Sequence, residues 1–163
     1  MKIPKFAFAL INPIVKALLH SPLHRLFSGS VLVLFFQGRR SGRAYSTPAR
    51  YLREDNQLTL ITNLEGGWWP NFIETRRVEL QLAGTRCAAR ATSYRAPNPL
   101  VRERIQRMLQ THPADAAYLD IAKSSAADAV DGRWDPATFD AAIDAAVVVL
   151  LELADNERRA TDA

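Results

Sequence analysis

The sequence has one cysteine, Cys87, in 163 residues. A lone thiol cannot build an internal disulfide framework or supply the paired cysteines of a structural zinc site. Such usage suits a reducing compartment. Glycine and proline are also scarce, at 7 and 9, against 48% hydrophobic and 23% charged residues. That balance excludes collagen-like, disordered and Gly/Ser-linker chains. The length suits one domain with a substantial core. No repeat or low-complexity tract interrupts it.

Acidic residues are missing from the first 53 positions, which hold nine Lys and Arg. The rest holds twelve Lys and Arg against seventeen Asp and Glu. The net charge of +4 is therefore an average of a front with +9 and a remainder with −5. Phosphate or membrane-surface partners are expected at the front.

Long apolar runs are lacking there. The uncharged stretch 6–15 contains Asn12-Pro13 and stops at Lys16, well short of the roughly 20 residues of a membrane span. No small-x-small cleavage site follows it, so a signal peptide is not expected. Ala7, Leu10, Ile11, Ile14, Val15, Leu18 and Leu19 follow helical spacing. Asn12-Pro13 and Ser21-Pro22 each set a capping side chain before a proline. Residues 1–28 thus predict short amphipathic helices, which either cover the body or lie on an anionic membrane surface.

Residues 31–37 form a β-branched, aromatic run bounded by turn residues, which predicts a buried strand. Residues 45–53 predict a second strand, with Pro48 marking an edge or bulge. A turn at 54–56 leads to a third strand at 57–62, so these two make a hairpin. Residues 63–77 predict a loop with a short helix. Strands follow at 78–82 and 85–94, and Asn98 caps a helix over 98–109 with Pro99 at its first position. A short helix at 136–142 precedes a Val-rich last strand at 147–153. About six strands with few helices predict a mainly β, α+β architecture: a small antiparallel barrel with helical additions. Three parts are expected: the helical segment 1–28, the barrel domain 29–154 and a polar tail 155–163.

Catalytic constellations are few. His20, His24 and His112 have no metal-ligand pattern around them, and no metal is expected. Ser21 and Ser41 lack a nucleophile elbow. If the chain is an enzyme, its hard chemistry belongs to a cofactor. Arg39, Arg40 and Arg43 cluster around Ser41 and two glycines. Such a turn can hold phosphate through guanidinium forks and backbone N–H groups, and Thr47 can add a hydroxyl; a solvated basic turn has the same composition. The Gly66-Gly67-Trp68-Trp69-Pro70-Asn71 stretch sets two tryptophans side by side. They suit a planar or lipophilic ligand, core packing or a membrane interface.

Taken in order, the first strand, Gly38-Arg39-Arg40-Ser41-Gly42-Arg43, Thr47-Pro48, Gly66-Gly67 and Trp68-Trp69-Pro70-Asn71-Phe72 resemble the deazaflavin-dependent nitroreductase family. The resemblance covers about residues 1–94. It implies a split β-barrel, FMN-binding-like, with coenzyme F-420 as cofactor and FMN as the alternative. It implies phosphate contacts from Arg39, Arg40, Ser41, Gly42 and Arg43, followed by Thr47 and Pro48. Ring-side contacts would come from Thr62, Asn63, Gly66 and Gly67, with Trp68 and Asn71 beside them. Arg40 stands where the family commonly has Lys, and Phe72 where it has Leu.

The function expected is an oxidoreductase. A reduced deazaflavin or flavin would pass a hydride to an apolar planar acceptor, such as a quinone, nitroaromatic or activated alkene. Tyr94 and Tyr118 are candidate proton donors by residue type alone. The alternative is a non-catalytic split barrel that binds a flavin, haem or lipophilic ligand. Nucleic acid is not an expected partner, because the basic residues lack interleaved aromatics. A homodimer is expected by analogy only. The expected location is the cytoplasm, with the inner face of the cell membrane as a second site if residues 1–28 bind it.

Overall fold

The computed structural model describes residues 31–154. Residues 1–28, expected to be helical, and the expected tail 155–163 lie outside the described residues. Six strands run β1 Val31–Gln37, β2 Ala44–Glu54, β3 Gln57–Asn63, β4 Arg76–Leu82, β5 Thr85–Arg95 and β6 Ala146–Leu153. They close into an antiparallel barrel in the order β1-β2-β3-β6-β5-β4. Helix α1 (Pro99–Thr111) and helix α2 (Pro136–Ala145) lie between β5 and β6 in sequence. The mainly β barrel with helical additions is therefore what the chain forms.

Alternation explains the interior. Leu32, Leu34 and Phe36 of β1, Leu58 and Leu60 of β3, and Val78, Leu80 and Leu82 of β4 point inward with their counterparts on β5 and β6. The last strand differs, since it is apolar on both faces. Val147, Val149 and Leu151 enter the barrel core, while Val148 and Leu150 join a second cluster with Val101, Ile105 and Leu109 of α1 and Phe139 and Ile143 of α2. That two-sided burial is why residues 147–151 read as an unbroken hydrophobic run.

Local chemistry sets the ends. The Asn98 side chain accepts from the Leu100 N–H at 3.0 Å, with Pro99 opening α1. The Asp135 carboxylate accepts from the Thr138 N–H at 2.8 Å, with Pro136 opening α2. Ala83 and Gly84 both take positive φ, 47° and 84°, in the two-residue β4–β5 turn. This is the backbone that matches strand twist in a tight hairpin. Glu54, at the end of β2, pairs with Arg104 and Arg107 and so ties α1 to the β2–β3 hairpin.

Pairing along β2 is uneven. Residues 44–50 pair with β1 only, and residues 51–54 pair with β3. Residues 61–63 of β3 pair with β6 and have no partner on β2. The barrel is thus split between β2 and β3. Pro48 sits on the lip of that split, where its missing N–H leaves no ladder bond unmade on the open side.

Candidate functional site

Two clefts meet at Trp68. The first holds about 630 Å³ and is lined by Arg39, Arg40, Ser41, Tyr45, Gly67, Trp68 and Asn71, among others. The second, about 400 Å³, occupies the split: Pro48, Ala49 and Arg50 form one lip, Ile61 and Thr62 the other. Trp68, Met108, Tyr118 and Leu119 complete its walls. Six of the sequence-predicted site residues are therefore gathered in the first cleft, and Pro48 and Thr62 join Trp68 in the second.

The arginine turn is ordered by its own backbone. The Gly38 N–H donates to the Arg43 carbonyl at 2.8 Å, and the Gly42 N–H donates to the Gly38 carbonyl at 2.8 Å. Gly42 takes φ +64° with open space around it, a conformation glycine adopts without steric cost. Gly38 is hemmed in. A Cβ there would lie 2.6 Å from the Ser41 hydroxyl and 2.8 Å from the Tyr45 ring. The absence of a side chain lets Tyr45 fold over the turn, where it stacks on Phe36 at 5.7 Å between centroids.

Asn71 couples the turn to the tryptophan loop. Its Oδ1 accepts from the Arg39 N–H at 2.8 Å, across 32 residues of sequence. Its Nδ2 donates to the Trp68 carbonyl at 2.8 Å. One side chain thus fixes both walls of the first cleft. Trp68 meets Phe72 edge to face at 6.1 Å, and Phe72 is fully buried. Trp69 is also packed on the core, and its indole N–H donates to the Leu64 carbonyl at 3.1 Å. Of the adjacent pair, Trp68 faces the clefts, whereas Trp69 closes its own loop.

Cationic groups are left over at this turn, two of them, Arg39 and Arg40, in the first cleft. Arg39, Arg40 and Arg43 form no ion pair among the described residues, and the N–H groups of Arg40 and Ser41 make no hydrogen bond there. Unpaired guanidinium forks beside free N–H groups and a hydroxyl are the donor set that a phosphate group requires. The second cleft is lined mainly by apolar side chains, with the Arg50–Asp115 ion pair of 3.0 Å in its wall.

The remaining predicted residues are placed as follows. Gly42 and Arg43 belong to the turn without lining either cleft. Thr47 pairs with Leu34 on β1, and its hydroxyl donates to the Pro48 carbonyl at 3.4 Å. The Asn63 carbonyl accepts the Gly66 N–H at 3.0 Å, closing the loop after β3. Gly66 is pressed against Thr62, whose hydroxyl would be 2.6 Å from an added Cβ. Tyr118 stands at the second cleft and is 65% exposed, while Tyr94 packs on the helix-covered cluster and lines neither cleft. Sequence reasoning missed Tyr45, Arg50, Met108, Asp115 and Leu119. Tyr45 was available from its two-residue spacing to Thr47; Met108, Asp115 and Leu119 carry no local signal.

Among the described residues, no group of His, Cys, Asp and Glu could hold a metal ion. No helix among them is long and apolar enough to cross a membrane. No protein-family model matches the chain, and no curated protein matches it. Solved structures with a distant likeness include a NimC/NimA family protein from Clostridium acetobutylicum, at 13% identity and a TM-score of 0.45, over 85% of this chain and 87% of that one. A pyridoxamine 5′-phosphate oxidase-related, FMN-binding protein from Nostoc punctiforme aligns at 18% identity and a TM-score of 0.46, over 86% and 78%. An FAD and heme binding protein from Mycobacterium smegmatis aligns at 11% identity and 0.42, over 86% and 77%.

Proposed function

We propose that the protein is an oxidoreductase that binds a phosphate-bearing deazaflavin of the coenzyme F-420 type, with FMN as the alternative, and reduces an apolar planar acceptor. The observation that carries this reading is the Asn71 bridge, which sets an unpaired cationic cleft directly beside an apolar one. A ligand with an anionic tail and a flat ring requires that adjacency.

The chain's residues divide the work. Arg39 and Arg40, with the free N–H groups of Arg40 and Ser41, hold phosphate oxygens. Trp68 and the split between β2 and β3 offer an apolar wall for the ring and exclude water from it. When bound, the reduced cofactor supplies the hydride. The acceptor takes that hydride and one proton, completing a two-electron reduction. Tyr118, exposed at the rim, is placed to pass on a solvent proton; Tyr94 is not.

Titration with oxidised and reduced F-420, and separately with FMN, read by fluorescence, tests the reading. Saturable binding is expected for one of them, about tenfold weaker or worse in Arg39→Ala/Arg40→Ala, consistent with charge-assisted contacts. No binding of either at micromolar protein would overturn it. Binding without reduction of menadione, a nitroaromatic or an activated alkene would mark a non-catalytic ligand-binding barrel instead.

A further inference from the structure

We propose a second anion site, on the outer face of the β4–β5 hairpin, that takes a phosphate group between Arg77 and Arg90. It does not depend on the redox reading above. Val78, Leu80 and Leu82 of β4 face the core, as do Cys87, Ala89 and Ala91 of β5, so Arg77 and Arg90 point outward. They are register partners across the ladder. Like charges directly opposite each other on an antiparallel pair repel and destabilise the sheet unless something lies between them.

Among the described residues no carboxylate is paired with either arginine. Among the described residues the Arg77 and Arg90 side chains make no ion pair or hydrogen bond, although Glu152 is the register partner of Arg90 on β6. The contrast is close by. Nearer the turn, two residues along β4 and four along β5, Arg86 reaches Glu79 at 3.3 Å and covers the Phe35 ring at 4.6 Å. The hairpin therefore neutralises one outward arginine and leaves the facing pair open.

The space between them is concave. A hollow of about 700 Å³ is lined by three cations, Arg76, Arg77 and Arg90, and one carboxylate, Glu152, with Thr75, Asn56 and Ala88 among the rest. The small side chain at Ala88 leaves room between the long ones. Two guanidinium forks carried by register partners, with Thr75 and Asn56 in the same hollow, offer donors for the several oxygens of one phosphate. Phosphate of a soluble ester and phosphate of a lipid headgroup share this chemistry.

The test uses the full chain with Arg39→Gln/Arg40→Gln, which removes the first cleft's cations. Inorganic phosphate is compared with chloride at equal ionic strength, by thermal midpoint and by 31P line width. Phosphate is expected to raise the midpoint and broaden the line. Adding Arg77→Gln/Arg90→Gln should abolish both effects and raise the midpoint in low-salt chloride, because the repulsion is gone. Arg77→Lys/Arg90→Lys, which keeps charge and loses the fork, should bind with intermediate strength. Pelleting with phosphatidylglycerol against phosphatidylcholine vesicles separates the sources. Capture by the former, lost in the glutamine pair, assigns a lipid; a phosphate response without capture assigns a soluble ester. Equal responses with and without Arg77 and Arg90, or none to phosphate or vesicles, would overturn the proposal.

Discussion

Asn71 shows how much one half-buried amide can organise. Its donor and acceptor are both used, one on each wall of the arginine cleft. Replacing it with alanine leaves the Arg39 N–H without its partner and the Trp68 carbonyl with only the residue 71 backbone N–H, at a cost of about 1 kcal/mol. Asn71→Ala should lower the thermal midpoint and weaken cofactor binding by more than the stability loss accounts for. Asn71→Asp keeps the acceptor for Arg39 but sets a carboxylate in the phosphate cleft, so it should keep more stability than alanine and yet bind the cofactor no better. Equal binding by wild type and Asn71→Ala would show that the turn orders itself without the loop. At this scale the sequence was informative where chemistry is local. Arg39, Arg40, Ser41 and Gly42 announce themselves within four positions. Arg50 and Asp115 are 65 residues apart in number and meet only in the fold; no spacing rule reaches that far.

The elements carry their own tests. In the β4–β5 turn, Ala83 takes the left-handed backbone that a side chain with a Cβ resists. Ala83→Asn creates the Asn-Gly pair that such turns favour and should stabilise the protein by about 0.5–1 kcal/mol. A lower denaturation midpoint would show that this turn is not limiting. At α2, hydrogen bonds from the Thr138 backbone and then its hydroxyl hold the Asp135 carboxyl below its ordinary value. A lowered folded-state value means the stabilisation is present above the ordinary carboxylate range and is lost as pH falls through it. The wild type should therefore melt higher than Asp135→Asn near neutrality, with the gap closing toward pH 3. A gap independent of pH would remove the charge from the account and leave capping alone. Strand limits were legible because turn residues flank them: 31–37 was read from sequence and β1 occupies the same span. The split was not legible. Residues 44–50 and 61–63 look like ordinary strand, and only register shows that they part.

At the scale of the whole molecule, the charge asymmetry acquires a location. Among the described residues, Arg39, Arg40 and Arg43 of the acid-free front stay unpaired at one turn, whereas Arg50 meets Asp115 from the acidic remainder. The two parts of the sequence thus meet in at least one ion pair, and three cations of the front gather at the turn. The sixfold alternation of short strands sufficed to expect a barrel. It could not show that the helices between β5 and β6 also wall the split, through Met108, Tyr118 and Leu119.

The position of β6 has a temporal consequence. This strand is flanked by β3 and β5 and is packed on both faces. During synthesis, β1 to β5 can pair among themselves, yet β3 and β5 each keep a bare edge until residue 153 exists. Such edges are templates for pairing with other chains. The nascent protein therefore passes through an interval in which its most adhesive surfaces await their final partner, and whatever shields them then decides how much reaches the closed barrel.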